Sequence, residues 1–150
     1  MNILVIATAM LPVVVLMYIM YRKDSMQPEP KEQLRKAFYW GVLSCFLSAL
    51  MSGPFAAIGL FPQEVKTVMD AFRISFFGAA IPEEVAKFVV LWFFLRNNPY
   101  FDEKFDGIVY AACVSLGFAA FENIGYLFMN MDNFLSVGIM RAIFSVPGHL

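Results

Sequence analysis

Long apolar runs alternate with short polar segments along this chain of 150 residues. Five runs come close to or exceed the ~20 apolar residues that cross a bilayer as an α-helix. They are residues 3–21, 37–61, 71–95, 107–128 and 134–150. No internal repeat and no long linker divides them. The pattern therefore predicts an all-α fold, a polytopic transmembrane bundle of about five helices.

The polar segments between the runs predict an orientation. Segments 22–36 and 96–106 carry seven lysines and arginines, whereas 62–70 and 129–133 carry only Lys66. Basic loops stay in the cytoplasm, so the N-terminus is expected outside. The first run is interpreted as a retained helix rather than a cleaved signal peptide, because its basic residues follow it. The last run stops without a closing polar residue, so the fifth helix is expected to be truncated.

Composition agrees with a membrane protein. Hydrophobic residues make up 60% of the chain and charged residues 15%, against about 45–50% and about 25% in soluble domains. The net charge of −1 provides no basic surface for nucleic acid, so no nucleic-acid partner is expected. Cys45 and Cys113 both lie in apolar runs and predict neither a disulfide nor a metal site.

Several ionisable or strongly polar residues lie inside the apolar runs, where each charge costs several kcal/mol and so indicates a functional site. They are Arg73, Glu83, Glu84 and Lys87 in the third run, Glu122 and Asn123 in the fourth, and Arg141 and His149 in the fifth. His149 is the single histidine. Counted along straight helices, Glu83, Glu84 and His149 lie at a similar depth, which predicts one working group. Glu122 and Arg141 are expected to form a supporting ion pair nearer the outer face.

The adjacent carboxylates of Glu83 and Glu84 suit proton chemistry. Lys87 can pair with either of them at i+4 or i+3. Pro82 cannot donate to the carbonyl of Gly78, so a break or kink is expected there, with both glutamates opening a second half-helix. One carboxylate would then act as the general base that activates water. The alternative is a structural ion pair that only stabilises helix packing.

From the residues alone, three classes of function remain open for a Glu–Glu–His group in a membrane. They are hydrolysis, ion or proton transport, and non-catalytic assembly. Transporters usually show repeated halves, and none is visible here. A zinc site is a special case of hydrolysis, but no HExxH spacing is present, so ligand count favours a reaction without a cofactor.

Three motifs occur in order and resemble the PrsW family of intramembrane proteases. Residues 82–87 read PEEVAK and match its EExxK motif. Residues 101–112 contain FDE and FDGIVYAA, similar to the second signature, and lead into GFAAFEN at 117–123. Arg141 followed by SVPGH at 145–149 is similar to the third. The family is related to CAAX prenyl endopeptidases and to bacteriocin-immunity membrane proteins.

The resemblance implies a glutamate-type endopeptidase of the bacterial inner membrane that cleaves a single-pass protein such as an anti-sigma factor at site 1. It assigns Glu83 and Glu84 as catalytic carboxylates and His149 as their partner, with Glu122 and Asn123 lining the site. Residues 1–150 would form one transmembrane protease domain whose C-terminal part is missing, because the family continues into further helices. The alternative function is a non-proteolytic bundle of immunity or ion-handling type.

Overall fold

The fold is all-α, and a computed structural model describes residues 3–23, 28–62 and 64–150. Helices α1 and α2 span Ile3–Lys23 and Lys31–Ala57. The third segment consists of α3 (Val68–Arg73), a π-helical stretch (Ile74–Ala80) and α4 (Ile81–Leu95), followed by α5 (Lys104–Met129). A 3₁₀ turn (Met131–Asn133) leads into the last segment, which consists of α6 (Phe134–Met140), a second π-helical stretch (Arg141–Ser145) and α7 (Val146–Gly148). The predicted all-helical bundle is confirmed.

Among the described residues, three helices, α1, α2 and α5, are long and apolar enough to cross a membrane by length and composition. The predicted run 71–95 is helical throughout and the run 134–150 is helical to Gly148, but π-helical stretches divide each into shorter helices. The main difference in bounds concerns α2, which begins at Lys31 rather than at residue 37. Lysine, glutamate and arginine are good helix formers, and Lys36 pairs with Glu32 at 2.9 Å one turn away. A search for apolar runs cannot detect such a charged first turn.

The most buried helix, α5, packs against α1, α2 and α4. Its crossing with α2 is close because two glycines meet there. A β-carbon at Gly117 would lie 2.0 Å from the carbonyl oxygen of Phe38, and one at Gly41 would lie 1.9 Å from that of Val114. By contrast, a β-carbon at Gly125 would meet no atom within 4 Å in the part of the chain that the structure describes. Gly117 therefore sets the distance between the two helices, while Gly125 does not.

At Pro82 the structure has a π-helical stretch instead of the expected break. The Ile81 N–H donates to the carbonyl of Phe76, five residues back, so α3 runs into α4 without interruption. Pro82 has no N–H for the carbonyl of Gly78. The Ser52 hydroxyl of α2 lies 3.0 Å from that carbonyl oxygen and 3.0 Å from the backbone carbonyl oxygen of Ser48, so its one proton is shared between these two acceptors. A neighbouring helix thus satisfies the backbone group that the proline leaves free.

Candidate active site

Charged residues from α4, α5 and the last helical segment converge in one cluster. They are Glu83, Glu84 and Lys87 on α4, Glu122 and Asn123 on α5, and Arg141 and His149 on the last segment. The first π-helical stretch lies directly before α4, and the second begins with Arg141 and leads into α7, which His149 follows. Such π-helical turns are frequent at functional sites. Glu83 and Glu84 occupy the first turn of α4, but the helix continues into α4 from α3 through the π-helical stretch, so the prediction that they open a separate half-helix is wrong.

Arg141 donates hydrogen bonds to two residues of the cluster on α5. Its Nη2 donates to Glu122 Oε2 at 2.5 Å and its Nε to Asn123 Oδ1 at 2.6 Å. The guanidinium also lies over the Tyr126 ring, 4.1 Å from the centroid. Asn123 is buried and its Nδ2 donates to the Ala9 carbonyl at 3.2 Å, which ties α5 to α1. The expected pair of Glu122 with Arg141 is present, and Asn123 extends it across the bundle.

His149 lies near Glu83, as the depth count predicted, but its hydrogen-bond contact is with Glu122. Its Nε2 lies 3.0 Å from Glu122 Oε2, so the two groups that were expected at separate depths form one cluster. Counting 1.5 Å per residue assumes straight α-helices with a common outer edge. The π-helical stretch Arg141–Ser145 breaks that assumption, because a π-helix has another pitch and rotation per residue.

Lys87 forms an ion pair with Glu84 rather than with Glu83. Its Nζ lies 2.5 Å from Glu84 Oε1, and the lysine side chain is 5% exposed whereas that of Glu84 is 67% exposed. On the inner side, Nζ lies 3.5 Å from His149 Nδ1. The ammonium group of Lys87 therefore lies between the exposed carboxylate of Glu84 and the partly buried imidazole of His149.

Glu83 is the carboxylate of the cluster that keeps its oxygens available. It is half-buried. Across residues 3–23, 28–62 and 64–150, no side chain or backbone group forms a hydrogen bond or ion pair with it. A Glu83 oxygen nevertheless lies within 4.8 Å of ligand atoms of both Glu122 and His149. Glu84 pairs with Lys87 and Glu122 pairs with Arg141, so Glu83 is the glutamate of the cluster that lies near His149 without a bound cation.

Phe118 contacts the cluster, although the sequence analysis did not select it as a site residue. Its buried ring lies 5.3 Å from the His149 ring, between centroids, and 5.1 Å from Lys87 Nζ. A cation over an aromatic face is attracted by the ring quadrupole. The signal that could have identified Phe118 is its place inside the GFAAFEN motif.

An open cavity of about 340 Å³ reaches the cluster between α4, α5 and α7. Its polar lining includes Glu84, Lys87, Ser115 and His149. The remaining wall is mostly apolar, from residues such as Phe88 and Val114. A cavity with apolar walls and a few converging polar groups is the usual form of a substrate site.

The second motif builds the start of α5. Asp106 Oδ2 accepts from the backbone N–H groups of Asp102 at 3.1 Å and Glu103 at 2.7 Å, which caps the helix. The Tyr110 hydroxyl donates to the buried carboxylate of Glu29, which precedes α2. These contacts fix the end of α5 against its neighbours, and none of them involves the charged cluster.

A metal ion could be held by Glu83, Glu122 and His149. One ligand atom from each lies within 4.8 Å of the other two. Two carboxylates and one imidazole match the three protein ligands of catalytic zinc sites in number and kind. The missing HExxH spacing had argued against such a set, but here the three donors come from three separate helical segments.

Known proteins resemble this chain over nearly its whole length. A family model described as PrsW family intramembrane metalloprotease matches residues 29–150. The protein named Protease PrsW from Geobacillus kaustophilus is 37% identical over 144 residues, which are 96% of this chain and 60% of that protein. The proteins of the same name from Clostridioides difficile and Bacillus subtilis are 32% and 31% identical over 95% and 97% of this chain, and 58% and 62% of their own lengths. This chain thus spans about three fifths of these relatives. No solved structure matches it significantly.

Proposed function

Because this chain belongs to the PrsW family of intramembrane proteases, we propose that it is a membrane endopeptidase in which Glu83 activates water. The observation that carries the proposal is the free carboxylate of Glu83 beside the paired Glu122 and His149. A general base needs an acceptor oxygen that no cation occupies. Glu84 and Glu122 do not meet this condition, because Lys87 and Arg141 bind them.

The proposed reaction is hydrolysis of a peptide bond. Glu83 takes a proton from water as the water oxygen attacks the scissile carbonyl carbon, and the carbonyl electron pair moves onto its oxygen. His149 donates its Nε2–H to that oxyanion, after turning it away from Glu122 Oε2, the acceptor it faces in the free site. When the intermediate collapses, the C–N bond breaks and the amine nitrogen takes the proton from the Glu83 carboxyl. Lys87 and Arg141 each pair with one of the other two carboxylates, which reduces the repulsion among three neighbouring acids.

A metal would replace the proposed base rather than assist it. Glu83, Glu122 and His149 would hold a zinc ion that supplies Lewis-acid chemistry for water and for the carbonyl oxygen. Holding it would occupy the Glu83 oxygen that a general base needs. The side chains alone already provide a base, an N–H donor and compensating charges. We therefore propose hydrolysis that does not require a cofactor.

The proposed substrate is a single-pass membrane protein of the anti-sigma-factor type, cleaved in the bacterial inner membrane. The family resemblance supports this choice, as does the open cavity with mostly apolar walls beside His149. The excess of basic residues in segments 22–36 and 96–106 supports an N-terminus on the outer side.

The test is cleavage of a doubly tagged single-pass anti-sigma factor in cells that express the protease. Glu83→Gln removes the acceptor at nearly constant shape and should abolish the fragment, while Glu84→Gln should retain part of the activity. The control is Glu64→Gln, since Glu64 is 78% exposed and, among the residues that the structure describes, pairs only with Lys66 at 3.7 Å. Full cleavage by Glu83→Gln would refute its role as the base. No cleavage by the unaltered protein would favour the non-proteolytic bundle, and ion flux would then be measured.

A further inference from the structure

Lys87 occupies the position where a metal-bound histidine needs a hydrogen-bond acceptor. When Nε2 of a histidine binds a metal, Nδ1 carries the proton and normally donates it to a carboxylate or carbonyl. Here Nδ1 of His149 faces the Nζ of Lys87 at 3.5 Å. An ammonium has three N–H donors and no acceptor. The contact therefore places a donor where the metal-bound form requires an acceptor.

The contact at Nε2, the other ring nitrogen of His149, also disfavours the metal-bound form. Nε2 of His149 lies 3.0 Å from Glu122 Oε2, and a carboxylate only accepts. Both neighbours are satisfied when the proton of the imidazole sits on Nε2 and the lone pair of Nδ1 faces Lys87. In that tautomer the Nε2 lone pair needed for a metal does not exist.

Lys87 cannot easily leave this position. Glu84 holds its Nζ at 2.5 Å, and the face of the Phe118 ring lies 5.1 Å away. The lysine side chain is 5% exposed, so turning the ammonium away would separate a largely buried charge from its partner. Its positive charge also disfavours a second cation nearby.

We propose that Lys87 is a positioning residue that disfavours metal binding at Glu83, Glu122 and His149. It does so by holding the proton of His149 on Nε2. The three ligands alone would form a metal site, and the lysine converts them into a site that works with a carboxylate base. The inference deepens the proposed function, because it explains how a metal-like ligand set could serve a cofactor-free protease.

The first experiment measures zinc affinity by chelator competition on the protein in lipid nanodiscs. Lys87→Gln supplies a carbonyl acceptor for an Nδ1 proton and removes the charge, whereas Lys87→Arg keeps both the charge and the donors. Changes of outer hydrogen-bond partners alter metal affinity about 10–100-fold. We expect Lys87→Gln to bind zinc tighter than the unaltered protein by about that factor, and Lys87→Arg to match the unaltered protein. Equal affinities in all three proteins would overturn the proposal.

The second experiment reads the tautomer directly and does not depend on activity. His149 is the single histidine of the chain, so ¹⁵N-histidine labelling gives one imidazole spectrum. At one fixed neutral pH the unaltered protein should show the proton on Nε2, and zinc should shift His149 more strongly in Lys87→Gln. A proton on Nδ1 in the unaltered protein would overturn the proposal.

Further controls distinguish this proposal from misfolding of the variants and from failure of the proposed function. Lys87→Met removes the charge without adding an acceptor, so it should gain less zinc affinity than Lys87→Gln, and an equal gain would refute the hydrogen-bond argument. Helical content by circular dichroism shows whether each variant is folded. Zinc affinity and the tautomer are measured without a substrate, so a missing cleavage product would refute the protease and leave this inference standing.

Discussion

Replacing Gly117 with alanine should force α2 and α5 apart. The new β-carbon would lie 2.0 Å from the carbonyl oxygen of Phe38 and 2.9 Å from its carbonyl carbon. Close C–H···O contacts between helices have C···O distances of ~3.3–3.6 Å, so the overlap is about 1.3 Å. Both partners are backbone atoms, and no side-chain rotation can relieve it. The helices must therefore separate at the closest crossing in the bundle.

A matched control isolates the steric part of this effect. Alanine at Gly125, on the same helix, meets no atom within 4 Å among the described residues. Both substitutions share the helix-propensity gain of about 1 kcal/mol. The difference between them therefore reports overpacking, which typically costs about 1–3 kcal/mol and more when the backbone must move. We expect Gly117→Ala to be less stable than Gly125→Ala by at least that range.

Unfolding of the purified chain with SDS in mixed micelles measures this difference. Trp40 lies on α2 next to Gly41, so its fluorescence should report separation at the crossing, and circular dichroism reports the loss of helix. If Gly117→Ala were as stable as Gly125→Ala, α2 and α5 would not cross as closely as the structure shows. The same outcome would remove the reason for glycine in this part of the GFAAFEN motif.

Changes at three further positions test single polar contacts in the bundle by the same unfolding measurement. Arg141→Met should cost about 1–3 kcal/mol, because it removes the cation from the half-buried carboxylate of Glu122, which keeps His149 as a neighbour. Adding Glu122→Gln should recover most of that loss, and purely additive effects would contradict the ion pair. Ser52→Ala should cost about 0.6–1.7 kcal/mol by removing the donor to Gly78, and no loss would mean that this carbonyl finds another donor. Asp106→Ala should cost about 1–2 kcal/mol and speed hydrogen exchange in the first turn of α5, whereas unchanged exchange would argue against the cap.

The sequence was sufficient for the helical segments and the identity of the charged cluster. Apolar runs of membrane length predict helices because every backbone group in lipid must be satisfied within its own segment. Charges inside apolar runs are costly enough that their presence alone indicated Glu83, Glu84, Glu122, Arg141 and His149. The same criterion also selected Arg73, which is exposed at the end of α3 and lies outside the cluster. These signals are local or compositional, and they do not depend on how the helices are arranged.

Partner choice was decided only by the tertiary structure. Helical spacing let Lys87 reach either Glu83 or Glu84, and in the structure it pairs with Glu84 and leaves Glu83 as the free carboxylate. Depth counting separated His149 from Glu122, but their side chains lie 3.0 Å apart. A residue's type and spacing follow from the chain, whereas the distance between two charges depends on helix pitch, tilt and rotation, which packing across the whole bundle determines.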